Sequence, residues 1–240
     1  MEKVLVEIRA GVGGEEAALF ARDLFKMYSK YAQKRGWKMK IFNLRESDLG
    51  GIREVVFELK GKDVSDMKYE GGVHRVQRIP ETEKSGRIHT STATVAVLRE
   101  PEEKEIKINP GDLEFDFYKA SGPGGQYVNK RMTAVRVKHL PTGIVVTCQT
   151  ERSLQQNKEM ALNLLRAKLF QREKEKEEER LKKERKSQIG FGERPEKIRT
   201  YNFKQNRMTD HRIKKSWYNL EEILEGDLEK VISTLKKKLG

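Results

Sequence analysis

The chain has 240 residues, 36% of them hydrophobic and another 36% charged, with 50 Lys and Arg against 37 Asp and Glu for a formal net charge of +13. That length supports a disulfide-free core in one large domain or two ordinary ones, and two is the expected number. No run approaches the roughly 18 apolar residues of a membrane span, the N-terminus "MEKVLVEIRAG" is too short and too charged for a signal peptide, and the single Cys148 excludes an internal disulfide, so a cytoplasmic protein with no membrane association is expected.

Residues 3–9, "KVLVEIR", place Val4, Val6 and Ile8 on one face of a strand, and "GVGG" breaks it. From Glu15 to Arg35 the apolar spacing turns helical, with Phe20, Leu24, Met27 or Tyr28, and Tyr31 on one stripe and Gly36 as the stop. Strands are predicted at "WKMKIFNL" and "IREVVFELKG", then a short helix near residues 62–69. A hairpin follows, "GGVHRVQRIP" to "GRIHTSTATVAVL", joined by the loop Glu81 to Ser85. The stretch "REPEEKEIKINPGD", residues 99–112, shifts composition abruptly and carries two prolines, which marks a domain boundary.

Beyond it come a strand at "LEFDFYKA", the glycine-rich "SGPGGQYVNK", strands at "TAVRVKHL" and "GIVVTCQ", and a long helix from near Ser153. Met160, Leu164, Leu165 and Leu169 are its expected inward stripe. After Phe170 the helix loses its apolar face, as a solvated helix or arm would. "SQIGFGERPEKIR" reads as a second linker. "TYNFKQNRMTDHRIKKSW" is basic and polar, and "NLEEILEGDLEKVISTLKKKL" reads as one closing amphipathic helix.

The expected fold is therefore α+β and multi-domain. Residues 1–105 form a domain with a mostly antiparallel sheet. Residues 106–190 form a smaller α+β domain carrying the glycine loop and the long charged helix, and residues 191–240 form a C-terminal segment packing back on the first domain.

Charge distribution narrows the partner. From Phe117 to Thr150 there is no Asp or Glu, while Lys119, Lys130, Arg131, Arg136, Lys138 and His139 fall inside. A net charge this basic favours a polyanion through Coulomb attraction and counterion release, and a glycine loop in the acid-free stretch suggests insertion into nucleic acid. Cys148 lies in an apolar run and reads as a buried small hydrophobe. The four histidines lack neighbours at metal-ligand spacing, so neither a metal nor a cofactor is expected.

Three motifs carry the chemistry. "GVGGEEAALF" follows a strand and opens a helix, but Glu15 and Glu16 at the helix start would repel a pyrophosphate, which excludes a dinucleotide fold. Gly13 to Glu16 instead form a turn and helix tip, with the two acids complementing the helix dipole. The hairpin concentrates His74, Arg75, Gln77, Arg78, Thr82, Arg87, His89, Thr90, Ser91 and Thr92, side chains suited either to a solvated ribbon or to reading unpaired bases; Gln77 and His89 are the candidates for the latter. In the loop, Gly124 and Gly125 permit a backbone in which the N–H of Gln126 points outward, where it can stabilise a developing oxyanion. No Ser-His-Asp set, Cys-His pair or carboxylate dyad accompanies it, so catalysis would rest on positioning, with no autonomous active site.

Taken together, "GPGGQYVNK" and "IPETEKSGRIHTS" resemble the GGQ loop and decoding region of bacterial class I peptide chain release factors. Pro80, Glu81 and Thr82 match the P-x-T tripeptide of the type reading UAA and UAG. The likeness continues through "EIRAGVGGEEAALFARDLF", "GGVHRVQR", "HLPTGIVV", "RTYNF" and "TDHRI". It implies a protein that enters the ribosomal A site on a stop codon and triggers hydrolysis of the peptidyl-tRNA ester. By that resemblance Gly124, Gly125 and Gln126 are catalytic, and the Gln126 side-chain amide is a target for a glutamine methyltransferase. Thr82 contacts the first two codon bases, His89 stacks between the second and third, Gln77 and Thr90 read the third, and the tip Gly13, Gly14, Glu15 and Glu16 faces the first.

The chain departs from the family pattern at Arg131, Met132 and Thr133, where Thr-Glu-Ser or Thr-Asp-Ser is usual, and at Leu154, where Gln is usual. The family's helical domain of about one hundred residues, an ordinary domain size, is expected to be missing ahead of "EIRAG". The expected function is stop-codon-dependent termination by a monomer partnered with the ribosome, its mRNA and peptidyl-tRNA. Its rivals are a codon-independent ribosome-rescue hydrolase and a non-catalytic RNA-binding protein.

Overall fold

The computed structural model describes residues 2–80, 83, 85–99, 108–120 and 131–240. It divides into two compact units, one of residues 1–100 with 181–240 and one of residues 101–180.

The first unit is built on an eight-stranded sheet. Its strands are β1 (Glu2–Ala10), β2 (Lys38–Glu46), β3 (Ile52–Gly61), β4 (Gly72–Arg78), β5 (His89–Arg99), β9 (Lys197–Asn202), β10 (Arg207–Asp210) and β11 (Lys215–Tyr218). The order is β11-β10-β9-β4-β5-β1-β3-β2. Neighbours are antiparallel except β4 and β9, which run parallel. The alternation expected of β1 holds, with Val4, Val6 and Ile8 all buried. Helix α1 (Glu15–Lys34) lays Phe20, Leu24, Met27, Tyr28 and Tyr31 into the same core. A 3-10 turn, Val64–Glu70, stands where the short helix was expected. Strand β2 is exposed along its whole length, and Lys38 and Lys40 give this sheet edge the charge that discourages pairing with another chain.

Two segments differ from the sequence expectation. The polar run 200–217 supplies most of the β9-β10-β11 meander, because alternate residues Arg199, Tyr201, Met208 and Asp210 point inward. The closing helix is two, α3 (Leu220–Leu224) and α4 (Glu229–Leu239), broken at Gly226. Gly226 has a φ of 85° and sits against the backbone of Lys30 and Tyr31, so a side chain would collide there.

The second unit is a three-stranded antiparallel sheet, β6 (Leu113–Tyr118), β7 (Ala134–His139) and β8 (Ile144–Cys148), in the order β6-β7-β8. It packs on the start of helix α2 (Leu154–Ile189). Leu165 and Leu169 face this core as expected, but Met160 and Leu164 are exposed, and Ala161 and Asn157 complete the buried stripe at four-residue spacing. Cys148 is buried in the same cluster. The compact units part at residue 180 rather than 190. The last turns of α2 belong to the first unit, where Arg185 pairs with Glu7, and Gln188 donates to the carbonyl of Val97 and accepts from its N–H, both at 2.8 Å.

Candidate functional site

Strand β4 leaves the core at Gln77 and Arg78 and β5 re-enters it at His89 and Thr90, the register placing Gln77 opposite Thr90 and Arg78 opposite His89. Side chains alternate across a ribbon, so the open end of this hairpin presents two pairs on opposite faces. His89 is exposed, and its Nε2 lies 2.7 Å from Glu83 Oε2. Glu83 also accepts from the backbone and hydroxyl of Ser85, and these bonds, followed by that of His89, hold its carboxyl below the usual range. Gln77 is half-buried; its Oε1 accepts from Asn202 Nδ2 at 3.4 Å, and its carbonyl accepts from the N–H of Phe203.

The glycine turn before α1 is fixed against the same hairpin. Gly11 donates to the Thr92 carbonyl and Val12 donates to Thr92 Oγ1, while the Thr92 N–H returns a bond to the Val12 carbonyl. Gly13 has a φ of 133° and packs so closely that a Cβ would lie 2.2 Å from Ser91 Oγ. Only glycine fits that approach. The exposed tip, Gly13 and Gly14, therefore sits beside the strand carrying His89 and Thr90.

Arg78 clamps the two together. Its Nε donates to Glu16 Oε1 at 2.6 Å and its Nη1 to Asp23 Oδ2 at 2.7 Å, with the guanidinium 4.9 Å from the Phe203 ring centroid. This corrects the reading of Glu16 as part of the exposed tip. Glu16 is buried, and burial raises its carboxyl although Arg78 pulls it down. Glu15 is also turned inward in part, accepting from Ser47 Oγ and from the N–H of Leu49 at 3.3 Å. Pro80 is buried.

His74, Ser91 and Thr92, expected among the exposed polar side chains of the hairpin, are buried. The reason for His74 is a polar core that the sequence reading missed. Arg199, fully buried, donates to both oxygens of Glu70 (2.5 and 2.8 Å) and to Asp210 at 3.4 Å, and Arg212 donates to Asp210 at 2.6 Å. Tyr28 donates to Glu70 at 2.9 Å. Burial disfavours the charge of Glu70 and Asp210, but the guanidiniums hold both carboxyls below their ordinary values. His74 Nε2 lies 2.9 Å from the Glu70 carbonyl, which can only accept, so Nε2 carries the hydrogen and Nδ1 accepts from Tyr201 OH at 3.1 Å. Burial, reinforced by the charge of Arg199, holds this neutral imidazole down to about 4.

Glu81, Thr82, Gly124, Gly125 and Gln126 lie outside the described residues. In the second unit, Thr133, the residue before β7, is joined to Glu151 through Asn157. Among the described residues no group of three or more His, Cys, Asp or Glu could hold a metal ion, and no helix is long and apolar enough to cross a membrane.

The PCRF domain model matches residues 1–95, which run from β1 into β5 of the first unit, and the RF-1 domain model matches residues 102–212. The chain is 63% identical to "Peptide chain release factor 1" of Thermotoga maritima over 235 residues, which is 98% of this chain and 69% of that protein. The chain belongs to the class I peptide chain release factor family, of the release factor 1 type. This is a family of translation termination proteins. Proteins of the same name from Carboxydothermus hydrogenoformans and Aquifex aeolicus are 59% and 58% identical over 98% and 99% of the chain, each covered to 66% of its own length. Among solved structures, "RF2 of Thermus thermophilus" matches with a TM-score of 0.57 at 40% identity, covering 96% of this chain and 66% of that one. The chain thus spans about two thirds of the length of these family members.

Proposed function

We propose that this chain recognises UAA and UAG in the ribosomal A site and triggers hydrolysis of the peptidyl-tRNA ester through Gly124, Gly125 and Gln126. The observation that carries the reading is the convergence of Gln77, His89 and Thr90 with the Gly13–Gly14 tip at one end of the first unit, in a chain of this family.

In this reading an imidazole and an amide at the mouth of a ribbon supply what unpaired bases require, a flat ring to stack on and paired donors and acceptors at the base edge. Thr82 and Glu81 complete the codon-facing set, with the buried Pro80 immediately ahead of them in the sequence. Gly13 and Gly14 approach the first base with main chain, while Glu15 and Glu16 fix the tip from within.

Hydrolysis is addition of water to the ester carbonyl carbon, collapse of the tetrahedral intermediate and departure of the tRNA 3′-hydroxyl, which regains a proton. The Gln126 backbone N–H donates to the oxyanion as it forms, and its side chain places the water. A preorganised donor of this kind is worth about 10²–10³ in rate. It needs no ionisable group, so the uncharged loop enters RNA with no charge to desolvate, and the ribosome supplies the rest of the site. The chain acts as a monomer in the cytoplasm, with no cofactor or metal, and a glutamine methyltransferase modifies Gln126.

The test is peptide release from ribosomes holding peptidyl-tRNA with UAA, UAG, UGA, a sense codon or no codon in the A site, using wild type and Gly125→Ala. Release confined to UAA and UAG and abolished in Gly125→Ala is the expected result. Release with an empty A site would make the chain a rescue hydrolase, and no release at all would leave an RNA-binding protein.

A further inference from the structure

Asn157, in the first turn of α2, is fully buried despite its amide. Its Nδ2 donates to the carbonyls of Thr133 and Glu151, both at 2.8 Å. Its Oδ1 accepts from the Glu151 N–H at 3.0 Å and from the Cys148 thiol at 3.4 Å. An amide offers two donors and an oxygen with two lone pairs, and here all four are used. Aspartate would bring a carboxylate against two carbonyl oxygens, and an apolar residue would strand three backbone groups inside the domain.

The partners lie on two separate stretches of chain. Thr133 is the residue before β7, three beyond Lys130, and Glu151 lies between β8 and α2. These stretches are also the walls of an open cleft of about 560 Å³, with Met132 and Thr133 on one side and Arg152, Ser153 and Leu154 on the other. Asn157 is thus a bolt between the segment that follows the glycine-loop stretch in the sequence and the segment that leads into α2.

We infer that Asn157 is a positioning residue for ester hydrolysis, acting by fixing Thr133, which follows the stretch carrying Gly124 to Gln126 in the sequence; this rests on the reading of Gly124 to Gln126 as the hydrolytic loop. A reaction driven by a placed backbone N–H depends on geometry above all. A shift of about 1 Å can cost about 10²-fold in rate without weakening binding.

The test compares Asn157→Asp and Asn157→Ala with Leu165→Ala, which opens a cavity in the same core but removes no hydrogen bond to either stretch. At a temperature where all variants are folded, the maximal release rate at saturating factor should fall about 10- to 100-fold in both Asn157 variants. The half-saturating concentration should stay within about twofold, because an unchanged ground-state affinity with a lower maximal rate is the signature of lost positioning. Leu165→Ala should keep its maximal rate within about twofold even where its melting temperature drops as far. A maximal rate near wild type in Asn157→Asp, or an equal fall in Leu165→Ala, would overturn the inference. Should Asn157→Asp fail to fold, or wild type release nothing, amide exchange in Asn157→Ala still decides. Exchange across residues 131–133 and 150–153 should speed up at least about tenfold while β7 stays protected. Unchanged exchange there would refute the bolt, whereas absent wild-type release with faster exchange would refute only the hydrolytic reading.

Discussion

Two histidines of one hairpin live in opposite worlds. His74, near the start of β4, is sealed inside the sheet between Tyr201 and the Glu70 carbonyl, and is held neutral by burial and by Arg199. His89, at the start of β5, is exposed and makes its bond to Glu83 on the hairpin's open end. Composition treats them alike, and both stand among the hairpin's polar side chains. The difference teaches that a polar side chain in a strand signals function only where the network around it leaves it facing solvent. One end of the ribbon is a charge-balanced core that sets its shape, and the other end is what that shape presents.

The sharpest way to break this comparison is at the core. Arg199→Met leaves Glu70 and Asp210 buried without their shared cation, and we expect a loss of about 3–5 kcal/mol in urea unfolding at neutral pH. A loss below 1 kcal/mol would mean that Arg212 alone balances both carboxylates.

Acid titration probes the buried histidine next. The folded His74 pKa is depressed from 6.5 to about 4, so the unfolded chain binds the extra proton and His74 contributes stability that is present above about 6.5. That stability, of order 2–3 kcal/mol, drains away as pH falls from 6.5 towards 4. His211, also depressed by partial burial and by Lys197, acts in the same direction. Glu70 and Asp210, held low, add their own loss only at more acid pH. His74→Gln should flatten the upper part of this profile.

Arg78→Lys probes the clamp between the two ends. A single ammonium cannot reproduce the fork to Glu16 and Asp23, so about 1–2 kcal/mol should be lost, together with tighter discrimination at the codon. The smallest stability effect is expected at the exposed end, where His89→Ala should stay within about 0.5 kcal/mol of wild type by thermal unfolding.

The apolar frame was legible in the sequence because its period is simple: Val4, Val6 and Ile8 alternate, and Phe20, Leu24 and Tyr31 recur at helical spacing. The glycine tip, the hairpin and the loop were legible as motifs, and the family followed from them. What escaped was polar burial. Arg199, Asp210, His74 and Asn157 are hydrophilic by composition, and each is inside only because a partner distant in sequence satisfies it, Glu70 for Arg199 and Thr133 for Asn157. Likewise Met160 and Leu164 looked inward by residue type, but the buried stripe runs through Asn157, Ala161, Leu165 and Leu169 instead. The break at Gly226 was visible as a glycine, yet its positive φ and its close approach to α1 are tertiary facts.

The most direct measurement of the account is peptide release from UAA-programmed and codon-free ribosomes by wild type and His89→Ala, at equal, folded concentrations. Stacking on a base is worth about 1–3 kcal/mol. The account therefore predicts a fall of about tenfold or more on UAA in His89→Ala, with an unchanged melting temperature and no release from codon-free ribosomes by either protein. Equal release by the two proteins on UAA would contradict the assignment of the hairpin mouth as the codon reader.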